Sequence, residues 1–437
     1  MGVVHVIAVV VGTVMVLAVT AHILRTLVVP RARRTLLSNI VDSAVDHVFQ
    51  VLVKPFPAYE AKDTVLAGQG AAVLVVQLLT WLAGYEVAYS LVLWPQVHGM
   101  GASLEQVASS MFTLGFVYTP GAVSTALDVL AAGTGVVVVA LQIAYLPTLY
   151  SAFNRRETEV TLLTARAGTP PWGPELLLRA RYGVAVKSDT FPALYERWER
   201  WAADVAESHS NYPVLVRFRS PRALTSWLVG LLAVMDSAAM LLALCPSRER
   251  IEPRLALRAG FSALRDIGAA LGYQVDEDPD PDRGISLTFE EFAEAVAQLD
   301  AVGFPREREV AEAWPHFQGW RVNYEELAYA LALRTDAVPA PWSGPRRWKS
   351  EVIPVRRPPD RRPGSSPGGA GQLSGATGSL PGGAQTPGAG ESHQPTDHAV
   401  ATPGTGQTDG TGQTDGGTGL HPPSGAVVPR RAETDAQ

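Results

Sequence analysis

The chain has 437 residues and a formal net charge of −6, too long for one ordinary domain and of the wrong sign for nucleic acid as the main partner. No basic stripe with interleaved aromatics is present. The single cysteine, Cys245, excludes an intramolecular disulfide and a Cys-rich zinc site, and its place after the apolar run Leu241 to Leu244 predicts a buried, inert thiol.

Residues 1–30 hold the first predicted membrane helix. Val3 to Leu24 carries no Asp, Glu, Lys or Arg, and its only awkward groups are His5 and His22. A signal peptide would have a basic front, and this segment has none before Arg25. The basic cluster Arg25, Arg31, Arg33 and Arg34 follows it instead, which places the N-terminus outside and residues 31–63, a linker, in the cytoplasm. The second span, 64–94, carries one charge, Glu86, and the third, 127–153, carries only Asp128. Arg155 and Arg156 follow the third span on the side this order requires.

Residues 95–126 join those two spans. Ser103 and Gln106 make a Ser-x-x-Gln capping pattern, so Leu104 to Phe112 is predicted as a helix too short to cross a membrane. Thr113, Leu114, Gly115, Phe116, Val117 and Tyr118 follow, then Thr119-Pro120-Gly121. A short helix and an irregular Thr-x-Gly-aromatic stretch between two spans is the layout of a re-entrant pore loop, because non-helical backbone at membrane depth must be buried in protein or line a watery cavity.

The chain here resembles a bacterial two-span potassium-channel-like family with a helical cytoplasmic C-terminal domain. Such filters read Thr-Val-Gly-Tyr-Gly, with Phe for Tyr in bacterial relatives; Thr113, Leu114, Gly115 and Phe116 match the first four positions. The likeness extends to Tyr145-Leu146-Pro147-Thr148-Leu149-Tyr150, Arg155-Arg156-Glu157 and Leu162 to Gly168. It continues through Glu207-Ser208-His209-Ser210-Asn211-Tyr212-Pro213-Val214-Leu215, Arg219-Ser220 and Ser226-Trp227, and covers roughly residues 60 to 335. The resemblance implies a homotetrameric pore in membrane lipid with potassium as the transported ion and no other cofactor. It breaks at the second glycine, which is Val117, and at the following Asp, which is Tyr118. A β-branched residue resists positive φ, so the sites built by Thr113, Leu114 and Gly115 are expected to survive and those near Phe116 and Val117 to be distorted. Three outcomes stay open: a potassium channel with altered outer sites, a less selective cation pore, or a closed remnant in a membrane-anchored scaffold or sensor.

Glu86 is either a brace for the short helix, a cation attractor at the mouth beside Tyr118, or a carboxyl without a role. Gly133 and Gly135 are hinge candidates, with close helix packing the simpler alternative, and Pro147 is expected to kink the third span. Trp81, Tyr85, Tyr89 and Trp94 recur at helical spacing, the signature of an aromatic belt in contact with lipid.

Residues 154–345 predict an all-α cytoplasmic domain of seven or eight helices, for a cytoplasmic partner the sequence does not identify. Asp189 to Ser208, Phe289 to Leu299 and Tyr324 to Leu333 show apolar residues at 3 and 4 spacing. The apolar run Thr225 to Cys245 is flanked by arginines on both sides and is expected to be the buried central helix of that domain. Asp236 within it calls for a buried arginine, and His209 is expected to be a hydrogen-bonded structural histidine. The acidic stretch Asp276 to Gly284 lacks the glycine and the final glutamate of a calcium loop. No phosphate loop, dinucleotide fingerprint or nucleophile elbow is present, so no enzymatic activity and no metal site are expected. Residues 346–437 begin with the basic patch Arg346, Arg347, Lys349, Arg356, Arg357, Arg361 and Arg362, expected to touch anionic lipid or solvent, and continue as a Pro/Gly/Ser/Thr-rich disordered tail. The expected fold is thus an all-α membrane protein of the plasma membrane: a potassium-channel-like pore module with one extra N-terminal span, an all-α cytoplasmic domain and a disordered C-terminal tail.

Overall fold

A computed structural model describes residues 2–27, 29, 36–179, 190–248, 251–274, 276–348 and 351–357. Arg31, Arg33 and Arg34, the start of the helix expected from Asp189, Lys349, Arg361, Arg362 and the tail from residue 358 onward lie outside the described residues. Among the described residues the regular structure is helical, apart from one isolated antiparallel bridge between Thr169 and Arg356. Five of the described helices are long and apolar enough to cross a membrane.

The first apolar bundle is built from α1 (Val3–Leu27), α4 (Gln69–Leu93) and α6 (Ala122–Ala167). Helix α1 lies antiparallel to α4: His5 meets Trp94, and near the other end His22 meets Trp81. Gly12 makes this approach possible, since a Cβ there would sit 2.6 Å from the Ala88 carbonyl oxygen. The outward face of α1 keeps Val3, Val4, Ile7, Val10, Val14 and Leu17 exposed, an apolar surface that suits lipid and not water. The aromatics of α4 do not lie in a lipid-facing belt. Trp81, Tyr85 and Tyr89 are buried, with the Tyr85 hydroxyl 2.7 Å from Thr20 of α1 and the Tyr89 hydroxyl 2.8 Å from Thr134 of α6. Their helical spacing follows the seam between three helices, not the bilayer surface.

The stretch expected as a linker carries two helices, α2 (Leu36–Val53) and α3 (Tyr59–Leu66). Helix α2 buries Val41 and Val45 against Val73 of α4 and directs Asp46 at Arg217, 2.9 Å away. Asp63 of α3 pairs with Arg219, which also donates to the Thr335 and Asp336 carbonyls at 2.6 and 2.9 Å. These two helices therefore bind the base of the bundle to the second half of the chain.

Helix α6 runs well past residue 153 and is unbroken through Pro147. Its last turns enter a second core with α7 (Gly173–Arg179), α8 (Thr190–Asn211), α9 (Trp227–Leu244), α10 (Ile251–Ala270), α11 (Phe289–Ala301), α12 (Val310–Arg321) and α13 (Glu325–Thr335). All 18 residues of α9 are buried, so its apolarity serves a protein core. Asp236 accepts from Arg321 at 2.5 Å and from the Tyr324 hydroxyl at 2.7 Å, and Arg321 also reaches Glu325 at 3.0 Å. Cys245 is buried, with its thiol 3.2 Å from the Pro305 carbonyl. Of the basic patch, Arg346 is half-buried, Arg357 is tied to the fold while its side chain stays exposed, and Arg347 and Arg356 are exposed. Arg346 donates to the Val338 carbonyl at 2.7 Å, and Arg357 holds Glu175 through two bonds of 2.8 and 3.0 Å.

Arg156 lies at the junction of the two cores and is fully buried. It donates to Glu157, to the Leu215 carbonyl and to His209 at 2.8, 2.9 and 2.9 Å, and to the Phe218 carbonyl at 2.6 Å. Because the guanidinium has only donors, His209 Nε2 is the acceptor and the ring proton resides on Nδ1, 3.0 Å from Ser208 Oγ. Burial first, and the Arg156 charge second, hold the His209 pKa well below its ordinary value. The unfolded chain therefore binds a proton below about pH 6.5 that the folded chain refuses, so stability falls on acidification. A His209→Gln variant, which keeps an acceptor for Arg156, is expected to lose up to about 1.4 kcal/mol less stability per pH unit between pH 6.5 and 5 than the parent; parallel thermal melts of both proteins across that range would reveal it, and identical pH slopes would contradict it.

Candidate functional site

The residues between α4 and α6 form a short helix, α5 (Met100–Met111), and an irregular return over residues 112–121. The helix begins one turn earlier than the Ser103 capping pattern predicts, and neither residue of that pattern caps it. Ser103 is buried and donates to the Ser90 carbonyl of α4 at 2.6 Å. Gln106 donates through Nε2 to Ser124 and Asp128 of α6, both at 2.9 Å, and accepts from Thr119 at 2.8 Å. Ser110 adds a second bond to Asp128 at 2.8 Å. Both residues therefore dock α5 between its neighbours, and packing of the short helix overrides local capping.

The return is organised by one residue, Ser109. Its carbonyl accepts from the N–H groups of Leu114 and Gly115 at 2.8 and 3.3 Å. Its hydroxyl accepts from the N–H groups of Phe116 and Val117 at 3.0 and 3.2 Å. The only cis peptide among the described residues is Thr169–Pro170, so the peptides of the return are trans, and each carbonyl opposes the N–H of the next residue. The carbonyl oxygens of Thr113, Leu114, Gly115 and Phe116 consequently all face away from α5.

This alignment requires unusual backbone. Thr113 and Gly115 have φ of +56° and +69°, while Leu114, Phe116 and Val117 have no positive φ. Alternating hand at successive residues collects N–H groups on one side of a turn. Gly115 accepts a positive φ without penalty, but a β-branched threonine at +56° is strained by about 1–2 kcal/mol. Strain held in place by neighbouring bonds is a mark of functional loops. Thr113 N–H bonds the Ser110 carbonyl at 3.0 Å and helps hold it. The side chains of Phe112, Leu114, Phe116 and Tyr118 are 49–63% exposed. The Tyr118 hydroxyl lies 3.1 Å from the Thr125 hydroxyl.

The remaining sequence-predicted positions fall at different distances from this loop. Gly135 packs directly beneath α5: a Cβ there would meet the Met111 carbonyl oxygen at 2.4 Å, so close approach accounts for it. Gly133 faces open space, and Pro147 is exposed on α6. Glu86 is half-buried on α4 and makes no hydrogen bond among the described residues. The carboxylate that supports the short helix is Asp128, on α6. Ser109, Ser110 and Gln106 of α5 and Asp128 of α6 carry the geometry of the loop, and their signal in the sequence was a set of polar residues on a short helix between two apolar runs and a lone carboxylate at the start of the second. No group of three or more His, Cys, Asp or Glu among the described residues is arranged to hold a metal ion. No family model, curated protein or solved structure matches the chain.

Ser109→Ala removes the acceptor of two consecutive N–H groups, worth about 1 kcal/mol each. Amide hydrogen exchange at Phe116 and Val117 is expected to rise five- to tenfold, while Leu114 and Gly115, bound to the Ser109 carbonyl, keep their protection. A uniform change across 114–117 would show that Ser109 does not anchor the return.

Proposed function

We propose that the protein is a potassium-channel-like membrane protein that conducts cations passively through a homotetrameric pore, with residues 113–116 as its selectivity filter. The observation that carries this reading is the convergence of four successive N–H groups on Ser109, which turns four successive carbonyls to one side. Rings of such carbonyls replace the hydration shell of an ion. One chain supplies one strand of carbonyls, so a closed ring needs further copies around an axis, and four is the number such filters use. The exposed apolar side chains at 112, 114, 116 and 118 support the same assembly, since irregular backbone at membrane depth has to be covered by protein.

In this arrangement α1, α4 and α6 are the spans, α5 is the pore helix, and the domain built around α9 is cytoplasmic. The antiparallel placement of α1 on α4 agrees with an outside N-terminus. Val117 keeps negative φ where a second glycine would adopt the opposite hand, so the row of aligned carbonyls ends at Phe116. The pore therefore has fewer ion sites at its outer end than a filter with both glycines, which favours conduction with reduced potassium selectivity. No enzymatic role is proposed.

The test is cation flux into liposomes holding the purified full-length protein, beside a Val117→Gly variant. Potassium flux blocked by barium is expected from the parent, and higher potassium-over-sodium selectivity from Val117→Gly. Flux from the variant alone would mean a silenced pore in a membrane-anchored scaffold. Flux from neither would overturn the channel reading.

A further inference from the structure

Helix α2 has its polarity reversed for a helix in water. Its two carboxylates face inward: Asp46 receives Arg217 at 2.9 Å and the Gln69 amide at 2.7 Å, and Asp42 lies 3.4 Å from the same guanidinium. Its outward face carries Leu36, Ile40, Val48, Val51 and Leu52, each 46–83% exposed. The other exposed positions of the helix are Asn39, Ser43, Ala44 and His47, so no Asp, Glu, Lys or Arg interrupts that face. A helix on a water-soluble surface turns its charges outward and its apolar stripe to the core. We propose that the outward face of α2 is immersed in lipid, in the membrane leaflet on the side of the helical domain, with the Arg217 ion pairs holding the helix from behind.

Two observations select lipid as the occupant. The first is depth. Asp46 bonds Gln69, the first residue of α4, and Phe49 lies beside Gly68, where a Cβ would come within 3.8 Å of its ring. Earlier in α2, Val41 and Val45 share a cluster with Ala72, Val73 and Val76. The residues before Asp46 therefore lie alongside the first turns of α4, a membrane span in the reading above, and those after it lie level with its end. The second is continuity. Leu27 and Leu37 pack against the same core as Ile23 of α1, so the start of α2 adjoins the end of α1. The exposed apolar row of α1, which reaches Leu24 and Val29, is followed at that junction by Leu36 and Ile40. Arg25 in the last turn of α1 and Lys54 just past α2 are exposed. Long basic side chains at such places reach headgroup phosphates while their stems stay in the apolar layer. The ion pairs behind α2 then fasten the turn that carries Arg217 to a helix seated in the bilayer. The inference rests on α1 and α4 being membrane spans and not on conduction.

Site-directed spin labelling tests this on the full-length protein in nanodiscs of phosphatidylcholine and phosphatidylglycerol. Nitroxides are attached through Ile40→Cys and Val48→Cys on α2, through Val10→Cys on α1 as the lipid reference, and through Glu60→Cys on α3 as the water reference. The parent, whose one cysteine is the buried Cys245, gives the background. The readout is the ratio of collisions with oxygen to collisions with a nickel chelate, which rises with depth in lipid. It is expected to be roughly threefold or more higher at Val48 than at Glu60, and higher again at Ile40. Ratios at both α2 positions equal to that at Glu60 would place the face in water and overturn the proposal. Low collision rates with both reagents there would give the face to a second copy of the chain or another protein, and overturn it equally. If Val10 keeps a high ratio beside either result, the α2 assignment fails alone; a ratio at Val10 no higher than at Glu60 removes the membrane reading with it. All four labelled side chains are exposed, so no readout depends on a substitution in the core.

Discussion

One fully buried guanidinium lies at the centre of the joint between the two halves of this molecule. Arg156 sits on α6 where the apolar bundle gives way to the helical domain, and its donors are spent on Glu157, His209 and the carbonyls of Leu215 and Phe218. The rings of Phe153 and Trp227 cover its faces at 5.2 and 5.5 Å, and the Trp201 indole donates to the Arg156 carbonyl at 3.0 Å. A charge this deep is tolerated only when every donor is used. The need to satisfy it fixes the end of α8, the turn at residues 213–217 and the start of α9 around one side chain. Arg217 and Arg219 then extend the joint to α2 and α3.

The loop between α4 and α6 follows the same economy on a smaller scale. Four backbone N–H groups that lack a helix or a sheet are served by the two oxygens of Ser109. The short helix that carries Ser109 is itself held by Gln106 and Ser110 against Asp128. Gln106 uses its amide oxygen and nitrogen on three different partners, so it fixes α5, the far end of the return and the start of α6 together. Polar residues inside an apolar bundle are costly unless paired, and here each of these is paired with another.

Much of the fold was legible in the sequence because its elements differ in composition. The long apolar runs, the short helix between two of them and the wholly buried α9 all follow from hydropathy and flanking arginines. Asp236 announced its arginine, since a carboxylate in an apolar helix has few other ways to persist, though nothing marked Arg321 as the partner. The failures share a cause. Ser103 and Gln106 form a good local capping pattern, and the aromatics of α4 a good belt pattern, but both were claimed by tertiary contacts that sequence spacing does not reveal. Helix α3 was missed because eight residues of weak periodicity resemble a linker until Arg219, 156 positions away, gives Asp63 a partner; α2 was missed although its eighteen residues are amphipathic, because its acids Asp42 and Asp46 find Arg217 only in the fold. The Ser109 anchor was hidden for another reason: two serines in a row at positions 109 and 110 look interchangeable, and only the geometry shows that one serves the loop and the other Asp128.

Helix α6 is continuous from Ala122 to Ala167, a rod roughly 70 Å long. The rod is gripped along its length. Arg156 fixes it in the helical domain, Gly135 lies directly beneath Met111 of α5, and Asp128, roughly 42 Å from Arg156 along the axis, receives Gln106 and Ser110 at 2.9 and 2.8 Å. One continuous element therefore carries both the joint to the helical domain and the support of the loop in which four carbonyls are aligned.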